Sequence, residues 1–325
     1  MISGLPFDDI RNLARDLPGE AEQAAHDAAA VVARYQATAG GLGRAGELAT
    51  WLAAWTGRPP RVMRPVVALF AGTHGIAGAA DSTDNSAVRS LVERCAAGGG
   101  AVNQACVAGD LGLKVFDLAL DLPTADISRD AALDEKSAAA TVAFGMEATA
   151  GGTDLLVLAG YGGRGGRLAA TAVLAALHDG EMGELDVTGR ASVAEALRLH
   201  AGHVADPLEM LRRLGGREIA ALAGAILAAR AQKVAVILDG EAALAAAAIV
   251  NALAPGGIAH CIAGDAGSET AERAAARLGM EPVLRLGITT GDGAGGAIAA
   301  GVIKAAALAH AGAAEFLKAT EQSGR

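Results

Sequence analysis

Four short apolar runs set the architecture of this chain: VVALF at 66–70, LKVFDLAL at 113–120, DLLVLAG at 154–160 and KVAVILDG at 233–240. Each is continuous in its apolarity rather than alternating, which is how a strand buried on both faces reads. Alanine-rich stretches of helical length lie between them, so the pattern predicts an α/β fold: a parallel sheet with crossover helices on both sides. In such sheets ligands collect beyond the carboxyl ends of the strands. The loops expected there are AGTHG (71–75), GYGGRGGR (160–167), DGE (239–241) and a fourth after EPVLRLG (281–287).

At 325 residues the chain exceeds ordinary single-domain size, and one large domain with a smaller one is expected. The helical segments 1–58 and 298–325 are expected to pair as a small helical domain around a large α/β domain of residues 59–297. Hydrophobic residues make up 52% of the chain and aromatics only 3%, so small aliphatic side chains must fill the core and helices must approach one another closely. The net charge of -9 argues against nucleic acid as a partner. AALAAAAIVNALA (242–254) is the nearest approach to a membrane span and is too short, so no membrane partner is expected. The start, MISGLPFDDIRNLARDLPGE, lacks the basic and apolar regions of a signal peptide, and a cytoplasmic protein is expected. Cys95, Cys106 and Cys261 are scattered without CxxC spacing and read as packed or free thiols. His200 and His203 stand three apart with Asp206 nearby, but a solvated helix end accounts for them better than a metal triad; neither metal nor cofactor is expected.

Two loops carry chemistry. In LGITTGDGAGGAIAAGVIKAAAL (286–308) a single carboxylate, Asp292, sits between Gly291 and Gly293 at the mouth of an apolar helix. Glycines allow close backbone approach to a ligand, and a helix start offers free N–H groups. The same acid also reads as a plain helix cap. In the second loop, Gly160, Gly162 and Gly165 satisfy GxGxxG between a strand and the helical stretch RLAATAVLAALHDG. The ribose-holding acid that should close the next strand is missing, since Asp179 and Glu181 fall in HDGEMGELD. Either this is a glycine-rich turn, or Arg164 and Arg167 make it a phosphate cradle by forking onto phosphate oxygens.

Longer stretches then carry a resemblance: SGLPFDD, GGLGRAGELATWLAAWTGRPP (40–60), FAGTHGIA (70–77), AAGGGAVNQAC (96–106), LALDLPTAD (118–126), DPLEMLRRLGGREIAALAGAILAAR (206–230), VILDG (236–240), HCIAG (260–264) and LGMEPVLRLGITTGDGAGGA (278–297). Nearly end to end, the chain resembles the nicotinate-nucleotide:dimethylbenzimidazole phosphoribosyltransferases of the cobalamin pathway. The resemblance implies a Rossmann-like domain with a small helical one, a homodimer, and transfer of phosphoribose from nicotinate mononucleotide to a benzimidazole nitrogen, giving nicotinate and α-ribazole phosphate. Because nicotinate leaves as a ring relieved of its positive charge, the chemistry needs no metal, but a carboxylate with raised pKa must take the azole proton.

The resemblance places Asp292 where the family has a glutamate in its GEGSG loop. It places Gly160, Gly162, Gly163, Arg164, Gly165, Gly166, Arg167, Asp239, Gly291 and Gly293 about the nucleotide and its phosphate, and His74, Ser90 and Leu286 about the base. The chain departs from the family pattern where GEMGIGNTT becomes AGYGGRGGRL: the second acid falls on Gly160, and the hydroxyl ligands fall on Gly166 and Arg167. The GRGTG-type loop is reduced to VTGRASVAEAL (187–197). Glu269 of an EPGH-like stretch is kept, but Thr270, Ala271 and Glu272 follow it, and Ser90 stands where the family has glutamine. Two readings therefore stand: an active phosphoribosyltransferase, or a non-catalytic relative binding a nucleotide, a benzimidazole or an active homologue as a regulator.

Overall fold

The structure, a computed structural model, describes residues 6–76, 84–178 and 180–323. Its centre is a five-stranded, wholly parallel sheet in the order β2-β1-β3-β4-β5: β1 Pro65–Ala71, β2 Gly112–Asp117, β3 Leu155–Tyr161, β4 Ala235–Asp239 and β5 Cys261–Ala263. The first four fall on the apolar runs read from sequence, though β2 ends at Asp117, short of the 113–120 run. The fifth is only three residues long, and EPVLRLG contributes no strand, just an isolated bridge between Asp265 and Leu284.

Thirteen α-helices among the described residues complete the chain. They are α1 (Pro6–Arg15), α2 (Glu22–Ala39), α3 (Arg44–Thr56), α4 (Asp84–Ala96), α5 (Ala101–Gly109), α6 (Glu135–Gly145), α7 (Gly163–Leu177), α8 (Val187–His200), α9 (Pro207–Leu214), α10 (Arg217–Ala231), α11 (Gly240–Leu253), α12 (Glu269–Arg277) and α13 (Ala294–Ser323). Because successive strand residues point to opposite faces, Phe70, Leu156, Leu158, Val236 and Leu238 join a core with α6, α7, α10 and α11. Val67, Leu69, Leu155, Val157 and Ile237 join a second core with α3, α5 and α13.

Glycine sets the spacing of one of the closest helix pairs. A Cβ at Gly145 on α6 would lie 1.8 Å from the Ala221 carbonyl oxygen, and one at Gly224 on α10 would lie 1.9 Å from that of Val142. Each glycine lets the backbone of the other helix come into contact at that point, at Ala221 and at Val142. In α10, every residue from Glu218 to Arg230 is buried, and in α11 every residue from Ala242 to Val250. The small-residue faces of these helices are therefore consumed inside the subunit.

The two ends of the chain part company in one respect. α2, α3 and α13 pack on one another, but α1 packs on α6 and α11, with Phe7, Ile10 and Ala14 in the first core. α13 also corrects the hydropathy reading: at 30 residues it is long and apolar enough to cross a membrane, whereas 242–254 is the short helix α11. Ile303, Ala306, Ala307, His310 and Leu317 bury one side of α13, and His310 Nε2 bonds the Ala28 carbonyl.

His200 is buried against the Ile127 carbonyl, and Asp206 caps α9 while pairing with Arg11, so these two groups serve packing and capping. No group of three or more His, Cys, Asp or Glu side chains placed to hold a metal occurs among the described residues. All three cysteines are buried and free. Asp179 and Ala77, singled out in the sequence, lie outside the described residues, as does the start of the SGLPFDD motif.

Candidate active site

β3 runs apolar to Ala159 and ends in Gly160 and Tyr161; Gly162 follows as the N-cap of α7, which begins at once. Helix thus starts four residues earlier than the sequence suggested, and Arg164, Gly165, Gly166 and Arg167 occupy its first turns rather than a loop. β4 likewise ends at Asp239 and passes directly into α11 through Gly240, whose φ is +83°. Between these strand ends, the start of α12 and the 288–291 loop lies a cleft of about 560 Å³.

Of the residues singled out from sequence, Gly160, Gly162, Gly163, Gly166, Arg167, Asp239 and Gly291 line this one space. Three helices present their amino ends to it, α7 through Gly163 and Gly166, α11 through Gly240 and Glu241, and α12 through Ser268 and Glu269. Unpaired N–H groups and the helix dipole make such ends receptive to a phosphate. Against that, carboxylates of Asp239, Glu241, Asp265, Glu184 and Glu269 face Arg167, the one cation in the lining among the described residues. The cleft is suited to a ligand with an anionic end and a cationic centre.

Asp239 is the acid on which this field concentrates. Burial first, then the charge of Asp265, with a smaller contribution from Asp292, push its carboxyl up to about 7. Room for it is made by Gly295 and Gly296: a Cβ at Gly295 would stand 2.8 Å from Asp239 Oδ1, and one at Gly296 2.9 Å from Asp239 Cβ. Asp265 is fixed by the amides of Leu286 and Ile288, at 2.6 and 2.8 Å.

Asp292 is placed as a cap. It is buried, and its Oδ2 accepts from the Val102 amide at 3.0 Å while Oδ1 accepts from Thr290 Oγ1 at 2.6 Å and the Ala294 amide at 3.2 Å. One carboxylate thereby caps α5 and α13 together, and both oxygens are turned to protein donors. This is the geometry that the capping reading describes. Gly291 and Gly293 keep φ of +70° and +93°, and Gly291 lies against the Tyr161 ring, so the turn itself stays beside the cleft.

The two arginines differ. Arg167 lines the cleft, bonds the Glu184 carbonyl at 2.8 Å and lies 3.7 Å from Glu241, which also accepts from Ser268 Oγ at 2.7 Å. Arg164 points to Asp186, touching its two oxygens at 2.9 and 2.7 Å, and braces the N-cap of α8. Its Nη2 is held by Asp186, a departure from the expectation that both arginines face phosphate. Gly165 and Gly293 are buried behind the surface.

None of the three base-binding candidates lines the cleft. His74 is buried beneath it on Glu218, Ser90 is exposed on α4, and Leu286 projects outward. The site residues that sequence reasoning missed, Asp265, Glu241, Ser268 and Tyr161, come from strand ends and helix starts. Asp265 follows HCIAG, a segment whose three-residue strand is too short to read as one.

Comparison with known proteins bears on this geometry. A family model described as phosphoribosyltransferase matches residues 17–320. A nicotinate-nucleotide--dimethylbenzimidazole phosphoribosyltransferase of Sinorhizobium fredii is 52% identical, covering 98% of this chain and 97% of the relative, and that of Rhizobium meliloti matches to the same extent. The crystal structure of nicotinate-nucleotide-dimethylbenzimidazole phosphoribosyltransferase from Thermus thermophilus superposes with a TM-score of 0.73 at 28% identity, over 85% of this chain and 94% of that one.

Proposed function

Because this chain belongs to the phosphoribosyltransferase family whose model spans residues 17–320, we propose that it transfers phosphoribose from nicotinate mononucleotide to 5,6-dimethylbenzimidazole, supplying α-ribazole 5′-phosphate for cobalamin. The bond from C1′ to the pyridinium nitrogen breaks, its electron pair neutralises the ring, and nicotinate departs. The unprotonated benzimidazole nitrogen bonds to C1′, and the proton on the other ring nitrogen passes to a carboxylate. A group that titrates near neutrality is suited to that task, since it is ionised often enough to accept and basic enough to hold the proton. Asp239, raised to about 7 at the floor of the cleft, is the proposed acceptor.

The remaining cleft charges serve the same step. Positive charge gathers on the ribose as the C1′ bond to nitrogen loosens, and preorganised carboxylates stabilise it. Arg167 and the starts of α7, α11 and α12 are proposed to hold the 5′-phosphate at the opposite end. Asp292 acts from behind, as the group that ties the GDGAGG turn to α5 and adds its charge to the field on Asp239. The observation that carries the proposal is the coincidence of the family match with a neutral-range carboxyl inside the strand-end cleft.

Product analysis tests it: nicotinate mononucleotide and dimethylbenzimidazole should yield nicotinate and α-ribazole phosphate in equal amounts. No product from folded protein would return the alternative of a non-catalytic relative. We also propose a symmetric homodimer, supported by Ile298, Val302 and Phe316, which helical spacing puts on one exposed, apolar flank of α13. A monomer in sedimentation equilibrium would refute it.

A further inference from the structure

At the amino ends of β1 and β3, across the sheet from the catalytic cleft, lies a second groove of about 770 Å³. Seven-residue strands put it roughly 20 Å from the cleft. One wall is the segment RPPRVMR (58–64), which brings Arg58, Arg61 and Arg64 to the groove; the other is α13, with Lys304 and Leu308. Among the described residues of the lining, Asp154 is the only acid. In a chain of net charge -9 this is a local surplus of positive charge that nothing in the transfer reaction uses.

The arginine segment is held in place. Asp154, almost fully buried, accepts from the Met63 amide at 2.8 Å and the Arg64 amide at 2.9 Å, and Arg58 reaches it at 3.3 Å. Thr153 Oγ1 donates to the Arg64 carbonyl at 2.8 Å, and two prolines stiffen the middle of the segment. Asp154 thus spends its charge on backbone amides and Arg58, and among the described residues neither Arg61 nor Arg64 forms an ion pair. Both are exposed at the mouth. Guanidinium groups on a fixed backbone offer paired donors that match the oxygens of adjacent phosphoryl groups, and fixing them beforehand lowers the entropy lost on binding. Exposed Met63 and Leu308 give the same groove an apolar side.

We propose that this groove is a second, non-catalytic binding site for a diphosphate group, with Arg61 and Arg64 as its principal ligands and Arg58 as support. The diphosphate is either inorganic or carried on an organic body that rests on Met63 and Leu308.

Titration calorimetry with inorganic pyrophosphate and with ADP, on the full chain, tests the proposal. The parent should bind at least one of them, and Arg61→Ala/Arg64→Ala should weaken that binding about tenfold or more, as loss of two charge-assisted contacts predicts. Arg61→Lys/Arg64→Lys should fall between, keeping charge but losing the fork. Arg167→Ala should leave this binding unchanged, which separates the groove from the catalytic cleft. Tighter binding of ADP assigns an organic diphosphate, and equal or tighter binding of pyrophosphate assigns the inorganic ion. Phosphoribosyl transfer by the double alanine variant should match the parent, so the outcome is independent of the proposed reaction. Absence of binding by either probe, an unchanged affinity in the double alanine variant, or loss of binding in Arg167→Ala would overturn the inference.

Discussion

His74 Nε2 lies 2.6 Å from Glu218 Oε1, with both side chains fully buried beneath the glycines that open α7. A Cβ at Gly162 would stand 2.6 Å from Glu218 Oε1 and 2.7 Å from His74 Nε2, and one at Gly72 would stand 2.5 Å from Glu218 Oε2. Gly216, too, presses on the His74 ring. The motifs GTHG, GYGG and GGRE, distant in sequence, are therefore three sides of one packed ion pair, on which the wall of the cleft rests.

Removing the carboxylate leaves the His74 ring buried without its hydrogen-bond partner, so Glu218→Ala should lower unfolding free energy by about 1–3 kcal/mol, read by urea denaturation. Burial pushes the Glu218 carboxyl up, but the charge and hydrogen bond of His74 outweigh it and hold the group below its ordinary value of 4.5. The stabilisation is present above pH 4.5 and is lost as pH falls through the lower folded-state value. Glu218→Gln should flatten that acid limb; an unchanged limb would show that the pair contributes nothing to it.

Asp239→Asn should abolish transfer while leaving nicotinate mononucleotide affinity within about twofold, because the amide keeps the shape but cannot take a proton. In the parent, kcat/KM should rise with pH through an apparent pKa near 7. Since this acid is raised in the folded protein, its contribution to stability declines from the ordinary 3.8 to about 7, as pH increases, and the Asn variant should lack that decline. Full turnover by Asp239→Asn would remove it as the proton acceptor.

Asp292→Asn tests whether the family's acid position has become structural. The amide can replace only part of a carboxylate that accepts at both oxygens, so a stability loss of about 1–3 kcal/mol is expected. Transfer should be reduced, with the pH profile keeping its shape. Loss of the neutral limb of that profile in this variant, rather than in Asp239→Asn, would make Asp292 the base.

Arg167→Ala should weaken nicotinate mononucleotide binding by about tenfold, in a salt-sensitive way, because its guanidinium faces the cleft. Arg164→Ala should leave affinity within about twofold, since its Nη2 is held by Asp186 and the residue does not line the cleft. Equal losses from both would mean that Arg164 leaves Asp186 when nucleotide binds.

By itself the sequence determined the parallel sheet, since runs such as LLVLA admit no solvent face and signal strands covered on both sides. It also located the strand ends where Gly160, Gly162, Arg167 and Asp239 converge, because in such sheets topology sends ligands to the carboxyl edge. It could not show that Asp292 turns to the Val102 amide, that Asp186 holds Arg164, or that Asp265 lies close enough to raise Asp239. Each of those is a contact between residues well separated along the chain. A side chain's identity fixes what it is able to donate or accept, but its partner is chosen by packing: local spacing carries the strands and helices, and only the assembled core decides which carboxylate is pushed toward neutrality.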